Sequence, residues 1–187
     1  MHTEAAPAGL GRTTGVAGDG GRYAAVDVYY PATGGADAAL VIAADPAFAT
    51  VETERTATLT EVAAYRPGAF FERELPALRA VLADAGRLDL LVVDGYVHLD
   101  PDGRPGLGAH VHTEFGVPVI GVAKTAFRSA THAIEVRRGS ATRPLYVTAV
   151  GIPAERAAAL VQAMTGPYRL PDALRRVDAL SRCTAES

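Results

Sequence analysis

The run Leu90-Leu91-Val92-Val93, closed at once by Asp94-Gly95, constrains this chain more than any other feature. Four consecutive apolar residues without alternation have two faces to bury, as an inner strand of a parallel sheet does. Such a strand needs helices on both sides. Upstream, Phe71, Leu75, Leu78, Leu82 and Ala85 recur at three- and four-residue spacing until Gly86, which predicts an amphipathic helix. Pro76 is then expected in its first turn, where a missing N–H does least harm.

The remaining elements extend this unit. Residues 23–30, 38–44 and 48–59 read as three strands in a meander, the first rich in aromatic and β-branched types and interrupted by Asp27. After the Asp94 strand come a Gly- and Pro-rich loop (96–106), a weak helix near 107–115 and a strand over 117–123. Residues 133–136 and 145–150 are expected to pair, followed by a helix from Pro153 to Gly166 and a last one over 171–181. The predicted class is α/β: a mixed sheet, a three-stranded antiparallel meander plus parallel strands, flanked by helices, in the element order of the ribonuclease H-like fold.

At 187 residues the chain suits one domain, expected over 22–183, with residues 1–21 as a mobile tail that lacks the pattern of a signal peptide. The single cysteine, Cys183, excludes an internal disulfide and suits the cytoplasm. No apolar stretch is long enough for a membrane helix. A net charge of −3 argues against a protein that coats nucleic acid non-specifically, but not against a nuclease whose basic residues occupy one face. From Arg128 onward the chain is visibly more basic, through Arg137, Arg138, Arg143, Arg156, Arg169, Arg175, Arg176 and Arg182. Lys124 is the only lysine among 18 basic residues and follows an apolar strand, where a compact ammonium does what a planar guanidinium cannot.

Three acids stand where structure alone rarely puts them. Asp27 lies within the first strand and Asp94 ends an apolar one, positions that are unfavourable for a carboxylate unless it is paired or bound to a cation. Glu74 lies about 60° from Phe71 on the helical wheel, inside the apolar arc, while Glu72 points away. Each acid alone reads equally well as a capped or salt-bridged structural group. Together they match what a two-metal nuclease needs: carboxylates from different elements around ions roughly 3.5–4 Å apart. Oxygen ligands suit Mg²⁺, with Mn²⁺ able to substitute. His98, His110, His112 and His132 follow no zinc spacing.

The short blocks around these acids resemble the endonuclease V family. Val26-Asp27-Val28 resembles its first-strand motif, and residues 65–76 (YRPGAFFERELP) resemble its Tyr-x-Pro-Gly-x-Leu-x-Phe-Arg-Glu-x-Pro block. Val93-Asp94-Gly95, Gly121-Val122-Ala123-Lys124 and Tyr168-Arg169-Leu170-Pro171 follow in the family's order. The resemblance implies that Asp27, Glu74 and Asp94 are catalytic acids binding Mg²⁺, that Asp178 joins them from the final helix, and that Lys124 approaches the phosphate. It also implies substrate contacts at Tyr65, Gly68, Phe70, Gly95, Tyr96, Arg104, His110, Gly121 and Arg169. Family members nick DNA near deoxyinosine, or RNA near inosine, one bond beyond the adjacent 3′ phosphodiester.

The substrate side departs from that pattern. The Pro-Tyr-Ile-Pro wedge becomes Ala64-Tyr65-Arg66-Pro67, Asp-Gly-x-Gly becomes Asp94-Gly95-Tyr96-Val97, and pocket leucines become Phe70 and Phe127. Val97 is expected to add bulk to a tight purine pocket, where a few extra methylenes are poorly tolerated. The expectation is therefore a monomeric Mg²⁺-dependent endonuclease on DNA or RNA, in repair near a deaminated or otherwise abnormal base. The alternatives are a member with changed specificity, a non-catalytic nucleic-acid-binding module, and an unrelated α/β enzyme.

Overall fold

A computed structural model describes residues 20–64 and 71–183. The tail expected over 1–21 lies outside the described residues except for Gly20 and Gly21, and so do Tyr65, Gly68 and Phe70. In chain order the elements are β1 (Tyr23–Tyr29), β2 (Ala36–Ala43), β3 (Val51–Leu59), α1 (Phe71–Leu82), β4 (Leu90–Asp94), α2 (Leu107–Phe115) and β5 (Val119–Ala123). They continue with β6 (Ile134–Val136), β7 (Leu145–Val150), α3 (Ala154–Ala163) and α4 (Asp172–Cys183).

All seven strands form one mixed sheet in the order β3-β2-β1-β4-β5-β7-β6. β1, β4 and β5 run parallel, while β2, β3, β7 and β6 are antiparallel to their neighbours. Because successive strand residues face opposite sides, Ala24, Val26, Leu91 and Val93 pack beneath α1 and α2, with Leu75, Leu78 and Val111. Ala25, Leu90, Val92, Ile120 and Val122 pack beneath α3 and α4, with Val161, Leu174 and Val177. The apolar run Leu90–Val93 is thus buried on both faces, and Asp94 breaks out at the parallel strands' C-terminal edge. No helix among the described residues is long and apolar enough to cross a membrane.

Two expected boundaries move. β3 begins at Val51 rather than at 48, because the Asp45 carboxylate accepts from the N–H groups of Ala47, Ala49 and Thr50 at 3.0, 3.1 and 2.9 Å. That bend leaves Phe48 with φ +57°, incompatible with a strand. Pro76 lies inside α1, the sixth residue counted from Phe71, rather than in the first turn. Leu75, Ala77, Leu78, Val81 and Leu82 bury that helix's apolar face, which outweighs the lost N–H donor.

Candidate active site

The register that pairs Val26 of β1 with Val93 of β4 puts Asp27 and Asp94 side by side at the end of the parallel strands. By alternation Asp27 shares the α4 face with Ala25, and Asp94 shares it with Leu90 and Val92. Glu74 comes from the opposite layer, on α1, and reaches over the same edge. Asp27, Glu74 and Asp94, with Lys124, Asp178 and Arg182, line a cleft of about 300 Å³.

Their proximity shifts the titration of several of these groups. Burial, and then the charges of Asp27 and Asp94, push the Glu74 carboxyl up to about 8, with Arg73 opposing. Burial and the Asp94 charge also raise Asp27, against a hydrogen bond from Ser181 and the Lys124 charge. Lys124, two residues past the Asp94–Val122 register pair, donates from Nζ to Asp94 Oδ2 at 2.5 Å. Burial alone would lower this ammonium, but the Asp94 hydrogen bond and the charges of Asp94, Asp27 and Asp178 hold it above its ordinary value.

Burial and neighbouring carboxylates disfavour the ionised forms of Asp27 and Glu74, a conflict that a bound cation relieves. The all-oxygen donor set of Asp27, Glu74, Asp94 and Asp178 fits a hard divalent ion. Among the described residues no three His, Cys, Asp or Glu side chains have closed to ligating distance.

Several supports went unmarked in the sequence. The Ser181 hydroxyl lies 3.1 Å from Asp27 Oδ2 and is fully buried. Its only signal was the three-residue spacing from Asp178, which puts both on one face of α4. Arg182 grips both Asp178 oxygens, donating from Nε at 3.2 Å and from Nη2 at 3.1 Å, and its guanidinium lies 4.7 Å from the Tyr29 ring. Arg73 lies 4.2 Å from the Tyr30 ring, beside Glu74.

The substrate-contact candidates divide. Gly95, Tyr96 and Arg104 join Phe71, Leu107 and Phe127 around a neighbouring cavity of about 450 Å³ that shares Asp94 with the cleft. Gly95 adopts φ +132°, a bend that favours glycine. The Tyr96 hydroxyl donates to the Thr125 carbonyl at 2.8 Å and accepts from the Phe127 N–H at 3.0 Å, fixing one wall. Arg104 pairs with Asp100 at 3.3 Å. His110 meets this cavity only through its stack on Phe71, with ring centroids 3.6 Å apart. Gly121 lies beneath the floor, where an added Cβ would be 2.5 Å from the Gly95 carbonyl oxygen. Arg169 stands on the far side of Lys124, donating to the carbonyls of Lys124 and Pro144. One expectation is overturned: Val97 does not crowd the cavity. It is fully buried in the core, its methyl group turned toward Gly108, because Gly108 and Gly121 leave room beneath it.

A mixed sheet of this order with acids at its parallel edge defines a nuclease of the ribonuclease H-like class. Residues 20–146 match the endonuclease V family. The Streptomyces coelicolor endonuclease V is 35% identical, covering 94% of this chain and 80% of that protein. The crystal structure of the Streptomyces avermitilis endonuclease V superposes with a TM-score of 0.74 at 31% identity, over 89% of this chain and 82% of that one. A Ciona intestinalis endonuclease V in complex with an inosine-containing 24mer DNA shares the fold, with a TM-score of 0.75 at 17% identity over 89% and 86%. The chain belongs to the endonuclease V family and is a metal-dependent nuclease that hydrolyses phosphodiester bonds.

Proposed function

We propose that this nuclease is a DNA endonuclease that cuts beside a deaminated or otherwise abnormal base, with RNA as a second substrate. Mg²⁺ is held by Asp27, Glu74 and Asp94, with Asp178 alongside, and Mn²⁺ can replace it. The observation that carries this reading is the convergence of three acids, from two strands and a helix in opposite layers, on one cleft where burial and neighbouring carboxylates raise the proton affinity of Asp27 and Glu74. When bound, the metal supplies the charge that activates water and steadies the leaving oxygen. Ser181 holds the Asp27 carboxylate in orientation, and Arg182 does the same for Asp178. Lys124 exchanges its Asp94 hydrogen bond for a phosphate oxygen, offsetting charge in the transition state. Arg169, bonded to the Lys124 carbonyl, positions that lysine. A single reduced cysteine and one small catalytic unit fit a monomer working in the cytoplasm.

A second reading concerns specificity. Phe127 is 43% exposed at the cavity rim and the wall is aromatic on both sides, through Phe71 and Tyr96, which favours acceptance of bases other than hypoxanthine by stacking. One panel tests both: oligonucleotides carrying inosine, uracil, a mismatch or a branch, incubated with the chain in Mg²⁺. Nicking is expected, with Asp94→Asn slower by roughly two to three orders of magnitude, the scale of removing one transition-state stabilising group. Silence across the panel would overturn the proposal. Inosine cut alone would remove the second reading.

A further inference from the structure

Lys124 also lines a second depression, of about 280 Å³, together with Arg143, Pro144, Tyr146, Arg169 and two small residues. Among the described residues no carboxylate lines it. Asp94 is common to the aromatic cavity and the cleft, and Lys124 is common to the cleft and this depression. The three are therefore neighbours in a row, with the acids in the middle.

The cations here have different standing. Arg169 is spent on carbonyls, bridging Lys124 and Pro144 and so tying the end of β5 to the β6–β7 hairpin. Arg137 pairs with Glu135, Arg104 with Asp100 and Arg182 with Asp178. Arg143 is exposed and makes no ion pair or hydrogen bond with any of the described residues. Tyr146, opposite Ala123 in the β5–β7 register, offers a half-buried ring at its base.

We infer that this depression is a phosphate subsite for the nucleic-acid strand, on the side of the cut away from the abnormal base. Arg143 takes the first phosphodiester beyond the cut, and the Tyr146 ring supports the sugar or base attached to it. The inference rests on the reading of the cleft as a nuclease centre. It is sequence-independent, because a guanidinium reads phosphate and a ring accepts any base face.

The test measures strand binding in EDTA, so that it does not require cutting, alongside nicking in Mg²⁺. Two oligonucleotides are compared: one normal, one with a single uncharged methylphosphonate at the first linkage beyond the cut. On the normal strand Arg143→Ala is expected to weaken binding about five- to tenfold, raise KM more than it lowers kcat, and reduce the logarithmic salt slope by about 0.7, the share of one single-strand phosphate contact. On the methylphosphonate strand the penalty should shrink to about twofold or less, since removing either partner of one contact is not additive with removing the other. Arg87→Ala, a charge-matched control with a 91% exposed side chain beside a different cavity at the start of β4, should bind like the parent. An Arg143→Ala protein that binds the normal strand as the parent does, or that keeps its full penalty on the neutral linkage, overturns the subsite. Binding coupled to that phosphate without nicking in Mg²⁺ upholds the subsite and instead removes the nuclease assignment of the cleft.

Discussion

At 7% exposure, Glu74 carries the conflict between burial and chemistry in this molecule. Its carboxyl is ordinarily half-ionised at 4.5 and here only at about 8, through burial first and then the charges of Asp27 and Asp94. Because the folded state binds this proton more tightly than the unfolded chain, the group's contribution to stability is fully present below pH 4.5. It is lost as pH rises toward 8, since the unfolded chain gives up the proton first. Each pKa unit is worth about 1.4 kcal/mol, so the span corresponds to a few kcal/mol. In EDTA, urea unfolding should therefore show the parent losing a few kcal/mol relative to Glu74→Gln between pH 5 and 8. Parallel pH profiles for the two proteins would mean that the carboxyl is ionised and solvated rather than buried against its neighbours.

The β4–β5 pair and the bend above it position the acids, and their packing depends on one missing side chain. A Cβ at Gly121 would lie 2.5 Å from the Gly95 oxygen, 2.8 Å from the Val97 nitrogen and 2.9 Å from Thr148 Oγ1, and two of these are backbone atoms that cannot swing aside. Gly121→Ala should cost about 1–3 kcal/mol by overpacking. It should also slow nicking by lifting the bend that follows Asp94, read as a lower Tm together with a lower kcat; an unchanged melting profile would count against this account. β4 was legible in the sequence because its apolar run, closed at once by Asp94-Gly95, is too short for a helix, and Glu74 because helical geometry fixes its arc. The start of β3 was not, since the Asp45 carboxylate captures three N–H groups through a bend that leaves the apolar pattern intact. Nor was the inward turn of Val97, which depends on space left by Gly108 and Gly121 from other elements. The lack of a partner for Arg143 among the described residues was equally hidden: neighbouring arginines find acids only once the chain has folded.

Across the whole molecule, a net charge of −3 conceals strong local segregation. Four carboxylates, Asp27, Glu74, Asp94 and Asp178, face one cleft with two cations, Lys124 and Arg182, so folding alone gathers like charges that would separate in the unfolded chain. A ligand that binds the folded state and not the unfolded one stabilises it by RT ln(1 + [L]/Kd). A divalent cation at ten times its dissociation constant should thus add about 1.4 kcal/mol. For a chain of 150–250 residues, each kcal/mol corresponds to about 2–4 °C in Tm. Mg²⁺ or Mn²⁺ should therefore raise Tm by a few degrees over the EDTA form, saturably, and Asp27→Asn combined with Asp94→Asn should abolish the rise. Asp27→Asn alone should itself melt higher than the parent in EDTA, because a carboxyl disfavoured by burial and by the Asp94 charge is gone while the Asp94–Lys124 ion pair is kept. That pairing separates a metal centre from a merely structural acid cluster. An Asp27 kept for its structural hydrogen bond with Ser181 would lose stability on neutralisation, and the fold would respond to neither ion.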